Sequence, residues 1–127
     1  MPNKTRVSIR WLSKSETQDY PAAFSYLTLI FPQKQAAKIV ARLKKVGSSE
    51  FKAKDIFRAS QLSLLGVSNS HVEHDRKKII EGKKLSPILL VRDPEHRKVV
   101  IADGYHRLCA IYSFDEDAHV WCRICDS

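Results

Sequence analysis

No run in this 127-residue chain approaches the ~18 consecutive apolar residues that a membrane span requires. The basic start, MPNKTRVSIRWLSKSE, is not followed by a long apolar segment and a small-residue cleavage site, so no secretory leader is expected. Cysteine is scarce and odd in number, three in all, which does not suggest a disulfide framework. A cytoplasmic location is therefore expected. Cys122 and Cys125 have CxxC spacing, but no second pair completes a zinc site. On a strand they point to opposite faces, so they read as free core thiols. No internal repeat or low-complexity block occurs, and no Ser/His/Asp order certifies a nucleophilic triad.

Acidic residues are also in deficit. Asp and Glu number 14 against 22 Lys and Arg, for a formal net charge of +8. The excess is uneven: residues 1–46 hold nine basic and two acidic residues, whereas residues 87–127 hold five and seven. A basic excess of this kind suits a polyanionic partner, and equally a soluble surface rich in lysine. At 43% hydrophobic and 28% charged the chain is expected to fold, and its length fits one domain.

Val7, Ile9 and Trp11 alternate as in a short strand. Asp19 reads as a helix cap, with Pro21 in the first turn of a helix running to about Ile30. Pro32 opens a second helix over about 33–46. Its Ala36, Ile39, Val40 and Leu43 share one face, and Lys34, Lys38, Arg42 and Lys45 another. Residues 51–60 read as an extended piece and a helical turn capped by Asp55. A loop follows, and Asn69 or Ser70 then caps a helix over 71–82, with Val72, Ile79 and Ile80 inward and Gly82 as its stop. ILLV (88–91) and VVIA (99–102) flank Asp93-Pro94 as a hairpin, and 119–125 alternates as a strand. The pattern is α+β, a small mixed sheet with helices before and within it.

The segment IADGYHRLCAIY (101–112) carries the chemistry. An apolar strand ends in Asp103-Gly104 and turns at once into a helix over 105–114. Asp103 can cap that helix, and Gly104 permits a tight turn and close backbone approach. The first-turn amides of Tyr105, His106 and Arg107 then form an anion seat with positive dipole character. Arg107 can grip a phosphate with two parallel bonds, and His106 can donate to it or move a proton. The structural alternative is an ordinary corner, with His106 and Arg107 on the surface and Arg107 paired to Asp103.

The stretch from Phe51 to Asp126 resembles the ParB/sulfiredoxin superfamily. The matching pieces are AKDIF (53–57), NSH (69–71), IIEG (79–82), SPILLV (86–91) and VVIADGYHRLCA (99–110). The resemblance implies a ParB/sulfiredoxin-like domain over 51–127, preceded by an N-terminal helical extension over 1–50, the two forming one compact unit. In relatives the corner binds nucleotide phosphates: CTP in ParB, ATP in sulfiredoxin, ADP in the archaeal free-serine kinase. It thus implies that Gly104, Tyr105, His106 and Arg107 bind phosphate, with His71 beside them at the start of the 71–82 helix. Tyr105 stands where sulfiredoxin needs a cysteine, so sulfinic acid reduction is not expected. His106 stands where partitioning ParB proteins carry a second arginine, and no helix-turn-helix domain follows in this sequence, so a centromere-loading clamp is not expected either.

These readings support a nucleotide- or phosphate-binding domain, as a phosphotransferase or nucleotide hydrolase in which Asp103 and His106 are the candidate catalytic groups. Mg²⁺ would accompany a nucleotide, bridging phosphate and carboxylate, and no residue set is assigned to a metal of its own. The alternative is a DNA-binding ParB-like protein, with nuclease activity, whose Lys34, Lys38, Arg42 and Lys45 track a phosphate backbone. Nuclease chemistry would call on several carboxylates. The nearest to Asp103 are Asp93 and Glu95, in a turn that reads as exposed.

Overall fold

Four strands lie in the order β2 (Ser49–Lys52), β6 (His119–Asp126), β4 (Ile88–Asp93) and β5 (Lys98–Asp103) in the computed structural model, which describes residues 8–66 and 68–127. β4 runs parallel to β6 and antiparallel to β5, and β2 runs antiparallel to β6, so the sheet is mixed. The continuous apolar run at 88–91 follows from this position. A central strand covered on both faces has no polar side, and Ile88, Leu89, Leu90 and Val91 are all buried. Ile88 and Leu90 join one cluster, Leu89 and Val91 the other.

Helices α1 (Asp19–Leu27) and α2 (Gln33–Lys45) cover one face. There Ala23, Leu27, Ala36, Ile39 and Leu43 pack on Leu89, Val91, Val100 and Cys125. Helices α3 (Ala53–Ser60), α4 (Ser70–Ile80) and α5 (Tyr105–Phe114) cover the other, through Ile56, Phe57, Val72, Leu108 and Ile111. Residues 19–45 are thus one outer layer of a three-layer α+β fold, with five α-helices among the described residues. A second, two-stranded sheet pairs β1 (Arg10–Trp11) in parallel with β3 (Lys84–Leu85).

Several local expectations are corrected. Gln18, not Asp19, holds the cap position of α1, and the helix ends at Leu27. Helix α3 starts at Ala53 behind Lys52, which leaves Asp55 inside its first turn. Of the two candidate caps for α4, Asn69 does the work: its Oδ1 accepts from the amides of His71 and Val72 at 2.9 and 3.2 Å. Ile80 is 64% exposed rather than inward. Gly82, at φ +75°, ends that helix as expected, with the Lys83 amide reaching back to the Lys78 carbonyl. Residues 94–96 form one turn of 3₁₀ helix, and Asp93 is 5% exposed, not in open solvent, with its Oδ2 2.9 Å from His96 Nδ1. Only Ile9 and Trp11 of the alternating start can be followed, because Val7 lies outside the described residues.

Cys109, Cys122 and Cys125 are free and buried, with Cys122 and Cys125 on opposite faces of the sheet. Burial pushes the Cys122 thiol up to about 12, so it is protonated at neutral pH. No helix among the described residues is long and apolar enough to cross a membrane.

Candidate functional site

The corner at residues 103–107 is built around a glycine. Gly104 has φ +107° and holds the cap position of α5. A Cβ there would lie 2.6 Å from Ile88 Cδ1 and 2.8 Å from Arg107 Nη2. The missing side chain is therefore the space in which the guanidinium lies against the backbone. No side chain caps α5. The sequence assigns that role to Asp103, and the structure corrects it, because its carboxylate is engaged elsewhere. The first-turn amides of an α-helix have no partner within the helix, and here no side chain among the described residues supplies one.

Asp103 Oδ2 instead accepts from Arg107 Nη2 at 2.9 Å. This is the internal pair that stood as the structural alternative. The second oxygen-bearing partner comes from the far N-terminal layer: Asp19 Oδ1 lies 3.8 Å from Arg107 Nη1. Asp19 Oδ2 accepts the Ser86 hydroxyl, and Ser86 Oγ accepts the Glu16 amide at 3.1 Å. Asp19 and Ser86 are 5% and 1% exposed. Arg107 Nε is buried without a hydrogen-bond partner. Two carboxylates thus face one guanidinium in a largely dry place.

That imbalance sets the protonation. Burial raises the Asp103 carboxyl most, Arg107 pulls it back, and the Asp19 charge raises it again, leaving it at about 6 against an ordinary 3.8. A raised acid pKa means that the folded state keeps a proton the unfolded chain has already released. Stability from Asp103 is therefore full below pH 3.8 and is lost as pH climbs to about 6. The loss is on the order of 3 kcal/mol. His106 is lowered, by burial first and then by His71, and it works in the opposite sense, so the comparison between two proteins is the useful one. Urea titrations at pH 4 and 7 should show Asp19→Asn losing clearly less stability over that interval than the parent chain. Matching pH profiles would show that Asp19 does not raise Asp103.

A cavity of about 190 Å³ opens beside this corner. Its near wall is Asp103 to Arg107. Its far wall comes from α4, through His71, His74, Asp75 and Lys78, and from Lys84 to Ser86. The His71 and His106 rings approach to 4.8 Å between centroids. Tyr105 sends its hydroxyl away, to the Ser63 carbonyl, which ties the loop after α3 to the corner. All six residues assigned to phosphate or proton transfer from the sequence (His71 and residues 103–107) therefore line one cavity. Contributors that escaped that reading include Asp19, Glu16, Ser86, Lys78 and Lys84. Asp19 lies 88 positions from its guanidinium, and no local pattern marks such a partner. Lys78 and Lys84 look like ordinary helix-end and loop cations.

The carboxylates considered for nuclease chemistry do not converge. Asp93 pairs with Lys98 at one end of the β4–β5 hairpin, and Asp103 pairs with Leu89 at the other. Among the described residues no group of three or more His, Cys, Asp or Glu is poised around a metal position. Lys34, Lys38, Arg42 and Lys45 are exposed on α2, across the sheet from α4 and α5, and Arg42 donates to the Asp126 carbonyl. No family model, curated protein or solved structure matches the chain.

Proposed function

We propose that the chain is a ParB/sulfiredoxin-like domain that binds a nucleotide or another phosphate-bearing ligand at the DGYHR corner. The observation that carries this reading is the cavity itself, in which the uncapped first turn of α5 faces Lys78, Lys84 and His71. Amides at a helix start and ammonium groups are both donors suited to phosphate oxygens. Arg107 shapes the seat from behind, held by Asp103 and Asp19. His106, kept neutral at pH 7 by burial, and Asp103, with a pKa of about 6, are two of the groups there able to move a proton. They suit phosphoryl transfer or nucleotide hydrolysis. Mg²⁺ is held by one or two carboxylates together with phosphate oxygens, and Glu16 and Asp75, which line the cavity, fit that need. When bound, the ion neutralises phosphate charge.

Calorimetric titration with inorganic tripolyphosphate and with ATP tests the proposal. Each of Lys78→Ala and Lys84→Ala should weaken binding about tenfold, the worth of one charge-assisted contact. A short DNA duplex belongs in the same titration. No heat with either phosphate compound, beside duplex binding that disappears when Lys34, Lys38, Arg42 and Lys45 are neutralised, would transfer the function to the basic face of α2.

A further inference from the structure

The corner has a second side. Residues 103–106, which wall the polar cavity, also wall a cleft of about 440 Å³ whose remaining lining is Ala22, Tyr26, Leu62, Ile101 and Ala102. One space is rich in donors, the other mostly apolar, and they share four consecutive residues. At the mouth of the apolar cleft two large side chains stay in water: Tyr26 is 41% exposed and Leu62 42%. Both are held in place. Tyr26 stands on α1, whose neighbours Ala23 and Leu27 are fully buried. Leu62 precedes Ser63, whose carbonyl accepts the Tyr105 hydroxyl. A ligand that satisfied only the donors would leave this preformed apolar wall unused. A ligand with an anionic end and a flat apolar ring would use both.

We propose that this cleft is the ring subsite of the phosphate site, where the base of a bound nucleotide stacks on Tyr26. The proposal rests on the phosphate reading above. Stacking on an aromatic ring tolerates any base, because every base has a π-face. Apart from Tyr26 itself and from Asp103, Tyr105 and His106, which belong to the corner, no polar side chain among the described residues lines the cleft. The base is therefore held by stacking rather than read by hydrogen bonds, and purine and pyrimidine nucleotides bind alike. The residue that does this lies outside the segment that resembles the ParB/sulfiredoxin superfamily.

Calorimetry of the full chain with ATP, CTP and inorganic tripolyphosphate separates the two claims. Tyr26→Ala should weaken ATP and CTP by about tenfold each, the worth of one stacked base. It should leave tripolyphosphate unchanged. Tyr26→Phe, which keeps the ring, should bind all three as the parent does. ATP and CTP should differ from each other by less than about fivefold in the parent chain. If tripolyphosphate binds and Tyr26→Ala leaves the nucleotides untouched, the ring subsite is wrong and the phosphate site stands. A variant that loses tripolyphosphate as strongly as ATP also overturns it, since Tyr26 would then support the polar cavity instead. If none of the three binds the parent chain, both readings fail. Tyr26 is half-exposed, so the alanine variant is expected to fold, and its melting temperature is the control.

Discussion

Arg107→Ala should remove about 3–5 kcal/mol of stability at pH 8, the usual cost of leaving a buried charge without its partner. For a chain of this size that corresponds to a fall in Tm on the order of 10 °C. Two carboxylates, Asp19 and Asp103, would remain in a site where their side chains are 7% and 19% exposed, with no cation between them. Like charges so placed cannot both stay ionised. Protonation relieves them, so the same variant should lose much less at pH 5. Adding Asp19→Asn to the Arg107→Ala background should recover part of the loss at pH 8. Chemical denaturation at the two pH values measures all of this. A loss below about 1 kcal/mol, equal at both, would mean that solvent already screens the three groups. The result matters for function as well. On sequence grounds Arg107 is the natural residue to delete when testing phosphate binding. In the fold it is a strut, and Lys78 or Lys84 is the cleaner probe.

Gly104→Ala should cost about 2–3 kcal/mol, as strain at a left-handed position and overpacking act together. Ile88 is fully buried in the central strand and cannot retreat from the new methyl group. Arg107 cannot retreat either, because Asp103 and Asp19 hold it. Gly47 provides the comparison: nothing lies within 4 Å of a Cβ built there, and its φ is not positive, so Gly47→Ala should be close to neutral. Equal melting temperatures for the two alanine variants would contradict the packing at residue 104.

The sheet strands and the amphipathic helix α2 could be read from the chain because their signals are local. A run such as ILLV needs only its own composition to announce a covered strand, and Ala36, Ile39, Val40 and Leu43 need only their spacing. The helix over 105–114 also came directly from Gly104 and the apolar period after it. Errors fell where a residue's role depends on something distant. Asp19 stands where a cap belongs, but its carboxylate turns to Ser86 and Arg107, so its part is decided by chain 67 and 88 residues away. Asp55 and Asp103 were misread as caps for the same reason, that an acid near a helix start has several uses. Ile80 is apolar yet exposed, because it stands about 100° round the helix from Ile79, off the face that Val72, Asp75 and Ile79 bury. The brief β1–β3 ladder has two residues per strand, too few for any pattern. Within the site, the near wall was visible as one contiguous motif. The far wall was not, because α4 and the approach to β4 meet it only through tertiary packing.

A single guanidinium shared among α1, β5 and α5 couples the first helix to the corner. On the proposed reading, an anion that competed for Arg107 would loosen its grip on Asp19. By thermodynamic reciprocity, whatever tightens or frees the attachment of α1 must change the anion's affinity by the same factor. The outermost layer would then act as a spring against which occupancy is balanced.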